Sequence, residues 1–314
     1  MEQTYYKITN EKECHNNYQY VDGLNVLDRA FEPNGSCVVG GLYFTTAKYI
    51  LIFINYGCYL REITLPQDCR WVQDHQGDKF RADKIILGKR YNLSDPLTFQ
   101  LLVEGGADIH ICNDYILGWA SKNGHFEVVK WLVEKNANIH AYDALQLASE
   151  NGHLDIVKYL IKIGANIHTD DEHALRFASA NGHLDIVKCL VEAGANICAD
   201  DNFALIFASK RGHLQIVKYL VESGANIYAR NNYVLRCASK NGHLAVVKYL
   251  VENGAKIHAR DNAALLCASK NGHLAVVKYL VENGANIHAR DNAALLYASK
   301  NGYLQVVEYL NSYK

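Results

Sequence analysis

Ala268-Ser-Lys-Asn-Gly-His-Leu-Ala-Val-Val-Lys-Tyr-Leu-Val-Glu-Asn-Gly-Ala285 decides the fold, because the same text returns when the chain is shifted by thirty residues. Residues 239–268 and 269–298 differ only at Lys256/Asn286 and Cys267/Tyr297. Weaker copies reach back to Ala120-Ser-Lys-Asn-Gly-His125 and forward to Ala298-Ser-Lys-Asn-Gly-Tyr303. A fixed period of this size marks stacked repeats. Within one copy, Ala264, Leu265, Cys267 and Ala268 set apolar groups on one side of a short helix. Gly272 stops it, since glycine takes a left-handed backbone without steric cost. A second helix starts near Leu274, with Val276, Val277, Leu280 and Val281 on one face and Lys278 and Glu282 on the other. Two helices this short cannot bury both apolar faces alone, so each copy needs neighbours on either side.

The pattern Ala-Ser-x-Asn-Gly-His-Leu-x-Val-Val-Lys-Tyr-Leu-Val-x-x-Gly-Ala-Asn resembles the ankyrin repeat, over roughly residues 97–314. The resemblance implies an all-α solenoid that binds a protein partner. An ankyrin repeat usually has about 33 residues and a Thr-Pro-Leu-His start to its first helix. Here the unit has 30 residues, and the tetrapeptide reads Ala263-Ala-Leu-Leu266 or Tyr233-Val-Leu-Arg236. No proline follows Pro96, so Asp261-Asn262 or Asp291-Asn292 is expected to start the helix by side-chain capping. The abbreviated unit, joined to a non-repeating N-terminal block, resembles the ankyrin proteins of giant, mimivirus-like DNA viruses.

Domain boundaries follow from where the period begins. Residues 1–93 read as a small α+β domain, and residues 94–314 as one partial plus seven repeats. Ser94-Asp95-Pro96 is a helix start with proline in the first turn. Full copies begin near Asp108, Asn138, Asn166, Asn196, Asn226, Lys256 and Asn286. In the last copy Asn311, Glu308 and Tyr303 stand where earlier copies carry Val281, Lys278 and His273, the substitutions expected of a water-facing terminal cap.

Before the repeats, Tyr5–Ile8, Gly40–Thr45, Tyr59–Leu65, Cys69–Gln73 and Lys84–Leu87 read as strands, with turns near Pro33–Ser36 and Asp74–Asp78. Thr46–Asn55 reads as a helix burying Ile50, Phe53 and Ile54 and ending at Gly57. Gly40-Gly-Leu-Tyr-Phe-Thr45 and its flanks resemble the nicotinamide-binding half of ADP-ribosyltransferase folds. That resemblance implies Tyr43 in an NAD pocket. The serine and stacking tyrosine of the family fall at Leu51 and Ile54, no His-Gly pair precedes Gly23, and no catalytic glutamate is evident. What it implies is therefore a fold whose transferase activity is lost.

Charge and composition narrow the function class. Thirty-two basic against 33 acidic side chains leave a formal charge of −1, without the basic excess that nucleic acid demands. The longest apolar run, Tyr49–Leu60, is too short to span a bilayer, and the N-terminus has no signal-peptide pattern. A cytoplasmic protein is expected, in the host cytoplasm if viral. Nine cysteines are an odd number without metal spacing, and Cys189, Cys237 and Cys267, which fall where other copies carry Tyr, Phe or Leu, are expected to fill the core. His125, His153, His183, His213, His243 and His273 recur once per repeat. That spacing, about 10 Å between packed helices, is too wide for two of them to share one zinc ion. They are expected to bond loop backbone instead, as is the second row, His110, His140, His168, His258 and His288. A lysine row on the second helix, Lys130 to Lys278, has glutamates four residues on and reads as a charge-balanced solvated face.

The informative positions vary while the frame stays constant. These are His173, Arg176, Phe203, Tyr233 and Arg236 on the first helices, with Asp200, Arg230, Arg260 and Arg290 at the turns. They form the candidate partner-binding set of a non-enzymatic interaction protein, on the concave face of the stack, with no cofactor and no metal. The competing readings are NAD chemistry in residues 1–93 and a ubiquitin-ligase adaptor. The adaptor would need an F-box-like tail, and the chain stops at Lys314, directly after its last helix.

Overall fold

Short alternating segments separated by Gly, Pro and Asn-rich turns make strands before Asn92, and thirty-residue periodicity makes helix pairs after it. The computed structural model describes residues 4–15, 17–34, 40–74, 77–141 and 143–313. These form two compact units, residues 1–144 and 145–314.

In the first unit, β1 (Tyr5–Thr9), β2 (Cys14–His15), β3 (Tyr18–Gln19), β4 (Gly23–Val26) and β5 (Leu42–Thr46) precede α1 (Ala47–Ile50) and a 3-10 segment (Leu51–Tyr56). Next come β6 (Tyr59–Thr64), β7 (Trp71–Gln73), β8 (Phe80–Ala82) and β9 (Lys84–Asn92). They are followed by α2 (Pro96–Glu104), α3 (Ile111–Lys122) and α4 (Phe126–Glu134). One antiparallel sheet runs β4-β9-β6-β1-β5-β8-β7, and β2 and β3 pair separately. Leu42, Phe44, Ile63, Phe80, Ile85 and Leu87 form one buried cluster. Tyr6, Ile8 and Leu60 are also buried, as are Ile50, Leu51 and Ile54 of the helical segment.

The helix expected over Thr46–Asn55 is shorter than its pattern suggested. It tightens after Ile50 into a 3-10 turn that buries Leu51 and leaves Phe53 half-buried. Its β-branched and aromatic residues lose side-chain freedom in an α-helix, which weakens the α-helical preference of the segment. Gly57 ends it for a steric reason: a Cβ there would lie 2.0 Å from the Thr9 carbonyl oxygen. Strand β8 and the β2–β3 pair escaped the sequence pattern because two or three residues carry no periodicity. The turns expected at Pro33–Ser36 and Asp74–Asp78 lie partly outside the described residues. At the start of α2, the Asp95 carboxylate accepts the Leu97 N–H at 2.9 Å, and Pro96 occupies the first turn, as the sequence implied.

The second unit is a run of helix pairs. The first helices are α5 (Ala144–Asn151), α7 (Thr169–Asn181), α9 (Ala199–Arg211), α11 (Ala229–Lys240), α13 (Ala259–Lys270) and α15 (Ala289–Lys300). The second helices are α6 (Leu154–Lys162), α8 (Leu184–Glu192), α10 (Leu214–Glu222), α12 (Leu244–Glu252), α14 (Leu274–Glu282) and α16 (Leu304–Asn311). α7, α9, α11, α13 and α15 pack each on the next, and so do α6, α8, α10, α12, α14 and α16. The expected packing residues Leu265, Val276, Val277 and Leu280 are buried, whereas Val281 is only half-buried. Cys237 is buried, while Cys189 and Cys267 remain partly accessible.

The turns depart from the expected capping. Each of α7, α9, α11, α13 and α15 opens on three consecutive left-handed residues, for example Arg260 (φ 50°), Asp261 (φ 54°) and Asn262 (φ 60°). Neither Asp261 nor Asn262 caps its own helix. The buried Asn262 instead offers Oδ1 to the main-chain N–H of Asn286 in the next repeat, at 2.9 Å. Asn232 does the same for Lys256 and Asn202 for Asn226, both at 2.7 Å, and Glu172 for Asn196 at 3.1 Å. Asp114 serves Asn138 at 3.0 Å in the first unit. Asn and Asp tolerate left-handed backbone better than other side-chain-bearing residues, and an acceptor here satisfies a donor that stacking takes from water.

Histidine also bonds backbone, across the repeat boundary. Nε2 of His183, His213, His243 and His273 donates to the carbonyls of Glu150, Ala180, Lys210 and Lys240 at 2.9–3.0 Å. Each imidazole lies over the preceding repeat's inter-helix glycine; a Cβ on Gly242 would meet His273 Nδ1 at 2.6 Å. The second row bonds side chains rather than backbone. His168 Nδ1 lies 2.6 Å from Glu172 Oε1, and His258 Nδ1 lies 3.1 Å from Asn262 Oδ1. These imidazoles brace the acceptors that bridge repeats. Among the described residues no group of three or more His, Cys, Asp or Glu converges as metal ligands would.

The lysine row differs from its expected pairing. Lys218, Lys248 and Lys278 stand over Tyr249, Tyr279 and Tyr309 of the following repeat, 5.5–5.7 Å from the ring centres, instead of pairing with the glutamate four residues on. A ring presented by the neighbouring helix holds the ammonium through its π face. Burial, with Glu222 and Glu252 close by, pushes the Tyr249 and Tyr279 hydroxyls above their usual range. In the last copy the expected cap is only partly polar: Leu296 is 48% exposed, against 8% for Leu266 one repeat earlier.

Candidate partner-binding surface

The nine candidate residues sit on the first helices and their left-handed turns, where the frame leaves side chains accessible. His173, Arg176, Phe203, Tyr233 and Arg236 are half-buried, and Asp200, Arg230, Arg260 and Arg290 are exposed. Stacking brings the aromatic members into a row. The His173 ring lies 4.1 Å from Phe177, Phe177 lies 6.2 Å from Phe207, and Phe203 lies 5.3 Å from Phe207. Arg230 covers the Phe203 ring at 4.6 Å, and Arg236 covers Tyr233 at 4.7 Å. The neighbouring Cys237 thiol raises the Tyr233 hydroxyl above its ordinary value, and burial raises Cys237 itself.

The sign change along the turns is partly spent inside the protein. Arg230 pairs with Asp201 at 3.1 Å and with Asp200 at 3.3 Å. Arg176 reaches Asp200 at 3.4 Å and donates to the Asp170 carbonyl at 2.7 Å. Arg290 donates to the Arg260 carbonyl at 3.2 Å and approaches Asp261 at 3.5 Å. Pairs this exposed contribute under about 1 kcal/mol each and exchange readily for a partner's groups. The Arg236 and Arg260 guanidinium groups make no ion pair within 4.0 Å among the described residues. Sequence reasoning missed Asp201 and Asp261 as internal partners, and Phe177 and Phe207 as links between candidate rings. The thirty-residue register of Phe177 with Phe207 was the available signal.

In the first unit, Tyr43 of β5 lines a cavity of about 250 Å³. Leu51 and Ile54, where the transferase resemblance places its polar and stacking contacts, are fully buried packing residues and do not line it. The cavity's own polar groups, Lys7 and Lys79 among them, lay outside any motif.

The family model described as ankyrin repeats (3 copies) matches residues 90–171, 175–261 and 235–314. The ankyrin repeat protein R868 of Acanthamoeba polyphaga mimivirus is 43% identical over 152 residues, 46% of this chain and 75% of its own. R229 and R896 of the same virus are each 39% identical, over 41% and 44% of this chain and under half of their own lengths (47% and 43%). The crystal structure of the human ASB11 ankyrin repeat domain superposes with a TM-score of 0.56 at 24% identity. It covers 62% of this chain and 96% of that domain, a likeness of fold. A stacked array of such repeats is a protein-interaction module, and among the described residues no helix is long and apolar enough to cross a membrane. The chain belongs to the ankyrin-repeat family, in the form that giant viruses carry.

Proposed function

We propose that residues 94–314 act as a non-enzymatic module that binds a protein partner through the first-helix and turn surface of the stack, its concave face, in the host cytoplasm. Residues 1–93 form a separate α+β domain in this reading. The observation that carries it is the row of half-buried aromatic and arginine side chains held on an otherwise near-invariant frame, with Arg236 stacked on Tyr233 at 4.7 Å. Aromatic and arginine side chains are the commonest interface anchors, and a pre-stacked pair loses little freedom on binding. An acidic or aromatic patch on the partner would meet Arg236 and Arg260, while Arg176 and Arg230 would exchange Asp200 for it. The charge balance of the chain argues against nucleic acid as that partner.

The test is affinity capture from host-cell extract with the full chain and with a Tyr233→Ala/Arg236→Ala variant. A discrete captured protein should be lost, or weakened at least tenfold, in the variant, with unchanged far-ultraviolet circular dichroism. Capture that survives in the variant and disappears with Lys248→Ala would move the binding face to the second helices.

A further inference from the structure

Lys7, in the middle of β1, is only 4% exposed, and its ammonium has two contacts. It donates to the Tyr43 carbonyl at 2.9 Å and stands 4.6 Å from the centre of the Tyr20 ring. Among the described residues no carboxylate pairs with it. Lys7 lies opposite Arg61 in the β1–β6 register, so the two side chains share a face of the sheet. The carboxylates reaching that face, Glu13 and Asp22, are bound by Arg61. An ammonium buried without counter-charge is costly unless it sheds its proton or meets an anion.

The surroundings of this amine offer space for such an anion. Main-chain pairing between β1 and β5 stops after Tyr5–Thr46 and Tyr6–Thr45, and at Lys7 only the side chain crosses to β5. A cavity of about 250 Å³ opens there, with Phe53, Tyr56 and Tyr43 on its walls. His15 and Lys79 line it too, and no Asp or Glu does among the described residues. Lys79 has Asp74 at 3.5 Å, and the His15 ring packs edge-on against Tyr56. Burial lowers the Lys7 amine to about 7, so an anion arriving near neutral pH restores its charge.

We propose that this cavity binds a small monocarboxylate, the acid group paired with the Lys7 ammonium and the flat or aliphatic body lying against Phe53 and Tyr56. An ammonium has three donors; Tyr43 uses one and the Tyr20 ring lies against the ammonium, which leaves a donor for a carboxylate oxygen. A phosphate dianion would bring a second charge into walls that are mainly apolar. The volume lies below the roughly 300 Å³ at which pockets for drug-sized ligands begin, which sets the ligand's size at that of a small metabolite. The site is independent of the partner surface on the repeats.

Calorimetric titration of the full chain at pH 7 tests this with benzoate, hexanoate, their amides and phenyl phosphate. At least one carboxylate should saturate the site, its amide should bind at least tenfold more weakly, and phenyl phosphate should bind more weakly than that carboxylate. Lys7→Met should abolish binding, and Phe53→Trp, which fills the cavity, should abolish it while leaving Lys7 in place. Failure of both carboxylates to bind, equal affinity for acid and amide, a preference for phenyl phosphate, or retained binding in Lys7→Met overturns the proposal. If Lys7→Met does not fold, the Lys7 Cε resonance of the unmodified chain decides. Saturating carboxylate should move its titration upward by at least one pH unit, and an unmoved titration overturns the site.

Discussion

Asn262 accepts the main-chain N–H of Asn286 at 2.9 Å, from a left-handed residue at the mouth of one repeat to the first residue of the next, 24 positions on. The same bond recurs at 24-residue separation from Asn202 and Asn232. It explains why a turn of three left-handed residues persists without glycine. Each such residue costs about 1–2 kcal/mol in an unsupported chain, and the turn gives the buried Asn262 side chain a main-chain donor from the next repeat.

Asn262→Ala should therefore destabilise more than a surface change does. It removes the acceptor and leaves alanine in left-handed backbone, a combined loss of about 2–3 kcal/mol. Asn262→Asp, which keeps an oxygen as Asp114 does, should cost under about 1 kcal/mol. Urea midpoints of the full chain read the difference. Equal midpoints for the two variants would remove the bridge from the account.

Gly242 and Gly284 both have positive φ, 77° and 94°, but only Gly242 has an imidazole against it. Gly242→Ala should cost at least about 1 kcal/mol more than Gly284→Ala, whose effect is the backbone strain alone. Combining Gly242→Ala with His273→Ala should recover part of that excess, because the collision partner is gone. A double variant whose loss is the sum of the single losses would deny the contact.

Lys248→Ala removes the ammonium over Tyr279 and should lower stability by about 0.5–1 kcal/mol. Glu252→Ala, four residues on, should have a smaller effect, since Lys248 has no ion pair with it in the structure. The two melting temperatures rank the contacts, and the reverse order would restore the helix-surface ion pair.

The buried Lys7 amine should leave a signature in the pH dependence of stability. Its folded value, about 7, lies below the ordinary lysine value of about 10.4, so between those limits the unfolded chain binds more protons. Below pH 7 both states are charged and burial destabilises fully; as pH rises from 7 towards 10 that penalty is relieved. Relative to Lys7→Met, the unmodified chain should gain up to about 1.4 kcal/mol per pH unit across the window. Parallel stability curves for the two proteins would place Lys7 in a more hydrated site.

What was legible in the chain was whatever is local or periodic. Gly272 stops a helix because of its own φ of 74°, and Leu265, Val277 and Leu280 are buried because their spacing puts them on one face. The Asp95–Pro96 helix start likewise needs only neighbours along the chain. Asn262 looked like a cap for its own helix because sequence shows near neighbours. Its true partner, Asn286, comes within reach only when two repeats stack. Lys218, Lys248 and Lys278 were assigned to glutamates one turn away for the same reason, while the stacked tyrosines lay 31 residues off. Nothing around Lys7 in the text of β1 marks it as buried. That was decided by β6, which sets Arg61 opposite it to take the nearby carboxylates, and by β5, whose early separation from β1 opens the cavity. Repetition and glycine act through the backbone of a few residues, whereas counter-charge and cavity are properties of strands that meet only in the folded chain.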